Sequence, residues 1–372
     1  MTPLRRTLVA LTAGAALLTG CSADPEPDAS PSRSAEPTPS EPTTSAETPS
    51  EAPSGEASAE PEASQTPTAA PTPRPRPVSV LGLAAQRHRG DRLRLGAVRE
   101  RTPAYTSYDV TYRSRSRTPR GEEAYTISGV LNVPTGRGPF PAVVLAHGYI
   151  DPAAYVRGQG MTRERGYLAA RGYIALHVDY RNHAESDDDP RFQTRLRLGY
   201  SADVINAVKA LRRSRTVPVD DDRIALFGRS MGGGVILKAL VAEPGLVQAA
   251  APWASVSSLE GQNFNQFIRP DGEGSQRVDE LVSRYGTPED RPQVWRDNSS
   301  RPYFDRITEP VLMVHGRNDD TCPPVWASDT QRALVEAGVS SKLEWYDDGH
   351  AFGPAFNAAM DRTVRFFDRQ LA

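Results

Sequence analysis

The stretch that most constrains this chain is Arg223–Gly234, which reads R-I-A-L-F-G-R-S-M-G-G-G. An apolar run of strand character, Ile224–Phe227, stops at Gly228. Ser230 follows two residues later, and Gly232, Gly233 and Gly234 open a helical continuation through Val241. A serine between glycines at a strand-to-helix junction is forced into a sharp turn that lifts its hydroxyl clear of the sheet. The first N–H groups of the next helix then face any negative charge developing there. Ser230 is the candidate nucleophile, with the Met231 N–H as one donor to an oxyanion.

A serine hydroxyl needs a base, and the base needs an orienting acid. Six histidines are available. His88 precedes the predicted sheet, His177 lies within a strand, His183 falls in a polar loop, and His147 and His315 each stand before a glycine at a strand end. His350 remains, in D-G-H-A-F just after the last predicted strand, and is the candidate base. For the acid, His315–Asp320 follows the strand Val311–Val314. Asp319 is favoured, with Asp320 the alternative, because adjacent residues do not both face one imidazole. The second oxyanion donor is expected from the loop after Ala142–Ala146, at the N–H of Tyr149.

The rest of the chain supplies a frame for these residues. Tyr105–Tyr112 and Ala124–Val133 read as strands of an antiparallel hairpin turning at Pro119–Glu122. Ala142–Ala146 is a continuous apolar run, as in a buried parallel strand. Helical and strand patterns then alternate: a helix over 161–171, a strand over 173–178, a helix over 198–213, the nucleophile strand and its helix, and a strand starting at Val247. Val311–Val314, a helix over 327–337, Lys342–Trp345 and a terminal helix over 353–371 complete the series. This order predicts an α/β fold with a doubly wound, mostly parallel sheet. The candidate residues all fall at the carboxyl ends of strands, where such sheets bind ligands. Residues 255–306 lack strand character and are expected to form a cap-like insert, with Phe264, Phe267, Ile268, Trp295 and Tyr303 as candidate pocket residues.

The N-terminal part is of another kind. Residues 1–20 have a short basic start, Arg5 and Arg6, then an apolar run from Leu8 to Leu18, ending at Leu18-Thr19-Gly20-Cys21. The run is too short for a stable bilayer span and reads as a secretory signal peptide. Its end resembles a bacterial lipobox, which makes Cys21 the expected lipidated first residue and the membrane an expected partner at the outer face of the cell. Residues 21–77 are Pro, Ser, Thr, Glu and Ala with almost no large apolar side chains. That composition predicts a disordered tether or a glycosylated stalk. Val78–Thr102, with six arginines from Arg87 to Arg101, is expected to be a solvated connector or a contact with anionic headgroups. The domain proper is expected over 78–372.

The formal net charge of −2 implies no nucleic acid or other polyanion as partner. Two cysteines are too few for a disulfide framework, and Cys322 is expected to be a buried thiol. No nucleotide or flavin fingerprint is evident. Neither Asp187–Asp189 nor Asp220–Asp222 has metal-ligand spacing, so both read as solvated turns, and neither a cofactor nor a metal is expected.

From about Tyr105 onward the chain resembles the α/β-hydrolase superfamily. It is most similar to the catalytic domain of the prolyl oligopeptidase family (S9) and to dienelactone-hydrolase-like esterases. The resemblance is carried by Pro139–Gly148, Asp179-Tyr180-Arg181, Gly228–Gly234, Tyr285–Glu289, Pro310–Pro323 and Gly349-His350. It implies a Ser-His-Asp triad, with the acid three positions after His-Gly, at Asp319. Family oligopeptidases carry a β-propeller ahead of this domain that filters peptides, and here the preceding segment reads as tether. The expected activity is therefore that of a free-standing serine hydrolase on small esters, with an exopeptidase or amidase acting on short peptides as the alternative, and an inert tethered binding protein as the third reading.

Overall fold

The computed structural model describes residues 75–372. The signal, Cys21 and nearly all of the tether lie outside the described residues. The chain enters through α1 (Val80–Ala84) and continues through β1 (Arg87–Arg101), β2 (Tyr105–Thr118), β3 (Gly121–Pro134), β4 (Phe140–Ala146), α2 (Thr162–Ala169), β5 (Ile174–Val178) and α3 (Leu198–Arg212). Next come β6 (Val219–Arg229), α4 (Met231–Ala242), β7 (Ala249–Trp253), α5 (Glu260–Phe267), α6 (Gln276–Tyr285) and α7 (Pro292–Asp297). The last elements are β8 (Val311–Gly316), α8 (Pro324–Glu336), β9 (Ser341–Tyr346) and α9 (Phe356–Gln370).

The strands form one sheet in the order β1-β2-β3-β5-β4-β6-β7-β8-β9. The first three and the β3–β5 pair are antiparallel, and every pairing from β5 across to β9 is parallel. The uniformly apolar strands take the centre: β4 is buried from Ala142 to Ala146, and β5 and β7 throughout. Both of their faces are covered, so they read as continuous hydrophobic runs rather than alternating ones. Two apolar layers result. One packs Val144, Leu226, Val208 and Ile236 beneath α3 and α4, and the other packs Leu145, Phe227, Trp253 and Phe367 beneath α2 and α9.

The segment 78–102 departs from expectation. Instead of a connector it forms α1 and the 15-residue edge strand β1, paired with β2 from Arg87↔Arg117 to Arg101↔Thr106. An edge strand needs only one neighbour, and its outer arginines stay hydrated, which hides the apolar signal and discourages edge-to-edge pairing. The run 187–189 is likewise no solvated turn throughout. Asp189 is fully buried, with Arg181 Nη1 at 3.2 Å, and Asp187 accepts the Thr126 N–H at 2.6 Å.

Five of the six histidines, all but His350, are buried, including His88 within β1 and His183 in its loop. Burial disfavours the charged imidazole and pushes His88 down to about 4 and His147 down to about 3. Between those values and the ordinary ~6.5, the unfolded chain binds more protons than the folded one. Stability is therefore complete above that ordinary value and is lost as pH falls through it. Each of these two groups contributes up to ~1.4 kcal/mol per pH unit in that window. The melting temperature is expected to fall steeply from pH 7 to pH 5 when followed by circular dichroism, and a flat profile over that range would contradict the burial of these rings.

Candidate active site

Between the end of β6 at Arg229 and the start of α4 at Met231 stands the single residue Ser230, at φ 57° and ψ −123°. A side chain at positive φ costs on the order of 1–3 kcal/mol and persists only where its surroundings hold it. Here the Ser230 N–H donates to Trp253 O at 2.9 Å, and its carbonyl accepts from Gly233 at 2.9 Å and Val256 at 3.2 Å. The flanking glycines are required by clearance. A Cβ on Gly232 would lie 1.9 Å from Ala146 O, and one on Gly228 would lie 2.3 Å from Gly232 O. Arg229 fastens the turn from the other side, donating to the buried Glu164 at 3.1 Å and to Gly160 O at 2.8 Å.

The acid and base arrive on the loops after two neighbouring strands. Asp319, in the loop after β8, accepts from His350 Nδ1 at 3.0 and 2.9 Å through its two oxygens. Its Oδ1 also accepts the N–H of Thr321 at 3.0 Å and of Cys322 at 2.8 Å. Burial alone would raise this carboxyl, but the bonds from His350 and Cys322 and the neighbouring imidazoles outweigh it and hold Asp319 below the usual carboxylate range. Its neighbour Asp320 is exposed and, among the described residues, accepts only from Thr321 Oγ1, at 3.1 Å. His315 braces the loop by donating to Cys322 O at 2.9 Å. After β9, Asp348 shapes the turn that presents His350, accepting the N–H groups of Gly349, Gly353 and Ala355 at 2.8, 3.1 and 2.8 Å.

Ser230, His350, Met231 and Tyr149 line one cavity of about 370 Å³. Among the described residues no hydrogen bond joins Ser230 Oγ to His350, and such catalytic contacts commonly tighten only around a bound substrate. The Ser230 hydroxyl lies beside the Cys322 thiol. Burial and then the Asp319 charge push that thiol up, so it is protonated and inert at neutral pH. The N–H groups of Tyr149 and Met231 have no acceptor among the described residues and remain free for an oxyanion. The loop carrying Tyr149 is fixed from beneath: His147 Nδ1 meets Gly148 O at 2.6 Å, Tyr180 donates to His147 O at 3.1 Å, and Tyr155 stacks on the His147 ring at 4.7 Å.

The insert between β7 and β8 roofs the cavity. On α5, Glu260, Asn263 and Phe267 share the face that lines it, at the i, i+3, i+7 spacing of one helical stripe. Ile268 lines it too. Phe264, Trp295 and Tyr303 do not. Phe264 and Trp295 pack on each other at 4.6 Å inside the insert's own core with Leu281, while Tyr303 packs against the main core. Large aromatics were needed to hold so short an insert together, which removes them from the wall. Arg197, Lys238 and Arg277 also face the cavity and carried no motif. The signal for Arg197 was positional, since it ends the loop that leads from a strand's carboxyl end into α3.

Comparison with known proteins places these features in a family. Dipeptidyl peptidase 4 of Felis catus is 29% identical over 195 residues, 51% of this chain and 24% of that protein, so the chain spans about a quarter of that relative's length. Among solved structures, an acetyl xylan esterase from Paenibacillus sp. R4 superposes with a TM-score of 0.56 at 23% identity, covering 78% of this chain and 92% of that one. A puromycin-hydrolyzing peptidase of Mycobacterium tuberculosis superposes with a TM-score of 0.50 at 19% identity, covering 72% and 46%. At these identities the structural likeness is one of fold. The model of the prolyl oligopeptidase family matches residues 160–372, more than half of the sequence, and the chain belongs to that family.

Proposed function

We propose that the protein is a serine hydrolase that cleaves small carboxylic esters through an acyl-enzyme, held by a lipid on Cys21 at the outer face of a bacterial membrane. The observation that carries the reading is the Asp319–His350 pair opening onto the same cavity as a serine held at φ 57°. In the first step Ser230 Oγ attacks the ester carbonyl while His350 Nε2 takes its proton. Asp319 holds the Nδ1–H tautomer and stabilises the imidazolium. The tetrahedral oxyanion sits on the N–H groups of Met231 and Tyr149. Its collapse expels the alcohol, protonated by His350. Water then adds to the acyl group with the same imidazole as base, which restores Ser230.

The family favours a second reading, cleavage of an amide or peptide bond by the same groups. A peptidase that grips a free amino terminus needs an unpaired carboxylate in its cavity. The carboxylate that lines this one, Glu260, is already paired with Lys238 at 2.7 Å. That pairing supports the ester reading. The tether reading rests on the basic start, the apolar run and Cys21. Among the described residues no helix is long and apolar enough to cross a membrane.

Both halves are tested on one preparation of the full chain, expressed with and without Cys21→Ala. Wild type is expected in the membrane fraction and the variant in the soluble exterior fraction. Both are expected to turn over p-nitrophenyl butyrate at least about 10-fold faster than aminoacyl p-nitroanilides. Faster turnover of the anilides would replace the ester reading by the peptidase one, and equal partitioning of the two forms would remove the lipid anchor.

A further inference from the structure

The lining of the cavity holds an imbalance of charge. Arg197, Lys238 and Arg277 line it, against the single carboxylate of Glu260, which Lys238 neutralises. Neither guanidinium is balanced by a carboxylate that lines the cavity. Arg197 comes from a left-handed residue, φ 56°, immediately before α3. Its Nε donates to Gln193 at 3.3 Å, its Nη1 lies 3.6 Å from Met231 Sδ, and its plane covers the Tyr149 ring at 4.8 Å. It makes no ion pair among the described residues, and its Nη2 is buried without an acceptor. Arg277, on α6, has one charged partner among the described residues, the partly exposed Asp271 at 3.3 Å, and its Nε is buried without an acceptor. Burial first, and then the like charge of Arg197, pushes the Arg277 guanidinium down, consistent with two cations sharing one space.

Guanidiniums stay charged, and both of these line the one cavity that Ser230 and His350 line. The group that satisfies two such forks together is a planar anion with two oxygens. Arg197 touches both residues whose N–H groups face the oxyanion, so that anion sits close to the reacting carbonyl. Building on the ester reading above, we propose that Arg197 and Arg277 form a carboxylate-binding subsite and that the protein's substrates are esters carrying a free carboxylate. The subsite is a property of this chain's loop before α3 and of its insert. It selects by charge where the apolar wall, Phe267 and Ile268, selects only by size.

The test compares matched ester pairs. p-Nitrophenyl hydrogen glutarate against p-nitrophenyl pentanoate places the carboxylate in the acyl half. 3-Butyryloxybenzoate against phenyl butyrate places it in the alcohol half. In at least one pair, wild type is expected to prefer the charged ester in kcat/KM by about 10- to 100-fold, the range expected for hydrogen bonds to a charged group. The preferred pair identifies which half carries the anion. Arg197→Gln and Arg277→Gln are each expected to reduce that preference about 10-fold or more, Arg197→Lys to retain part of it, and Arg197→Glu to reverse its sign. A preference near unity in both pairs, or one that the Gln variants leave intact, overturns the subsite. An assay independent of turnover uses Ser230→Ala and calorimetric titration with glutarate. Binding that disappears when Arg197→Gln is added supports the subsite even if no ester is cleaved, in which case the ester reading alone falls. Absence of glutarate binding together with equal turnover of charged and neutral esters removes the subsite and leaves the hydrolase.

Discussion

Replacing Ser230 with alanine is expected to lower kcat on any ester by about 10⁵- to 10⁶-fold, the scale at which a triad nucleophile is lost as one part of a concerted unit. The size follows from the absence of a substitute. Cys322, the nearest other nucleophile, is fully buried, and its surroundings push its thiol up, so it supplies no thiolate at neutral pH. The oxyanion donors survive the change, because the N–H groups of Met231 and Tyr149 are backbone, and they account for the residual rate. A methyl group fits wherever the serine Cβ now sits, so α4 and the turn are expected to persist. The measurement is steady-state hydrolysis of p-nitrophenyl butyrate together with labelling by a fluorophosphonate probe. Retained labelling of Ser230→Ala would mean that another residue is the nucleophile. An unlabelled wild type would leave a hydrolase fold that binds without reacting.

The second large effect is on stability. Asp203→Ala is expected to cost about 3–5 kcal/mol, the range for breaking a buried ion pair and leaving its partner unpaired. Asp203 sits on α3 with no exposed surface and accepts from Arg181 Nε at 3.0 Å and Nη2 at 2.8 Å, from the Arg181 N–H at 3.0 Å, and from Ser114 Oγ at 2.8 Å. One carboxylate thus ties α3 to β2 and to the loop after β5. Arg181 keeps Asp189 as a partner, but that carboxylate is one-sided, so the guanidinium is left with stranded donors in a dry interior. At ~2–4 °C per kcal/mol for a domain of this class, the melting temperature is expected to drop by roughly 6 °C or more. A shift under about 2 °C would mean that water enters the site and relieves Arg181.

Much of the fold was legible because its central strands are fully covered and therefore nearly uninterrupted in apolar residues. Ile224–Phe227 and Ala142–Ala146 are of this kind, and the glycines around Ser230 named the turn outright. The edge was not legible. In β1 the hydrophobic face is reduced to a few residues such as Leu93 and the outward side is arginine, so a 15-residue strand reads as a charged linker. The site divides along a similar line. His350 stood out from the other histidines because they precede or lie within strands or sit at turns, and the fold buries all five of them and leaves only His350 partly open to the cavity. Proximity in three dimensions supplied what spacing does not: Arg197 and Arg277 are 80 residues apart in sequence and line one cavity because the insert packs on the loop before α3. The aromatics of the insert misled for the opposite reason. Phe264 and Trp295 are the right chemistry for a pocket wall, yet helix phase turns them inward.

The placement of the candidate acid and base in the loops after the last two strands bears on how the protein comes into being. A domain folds as a unit, and β6 with its turn precedes β8 and β9 in the chain. The serine-bearing corner is thus made before Asp319 and His350, and acid and base join it only when the whole sheet closes. Until its final stretch emerges and β9 seats itself beside β8, the newborn protein carries a nucleophile that nothing switches on.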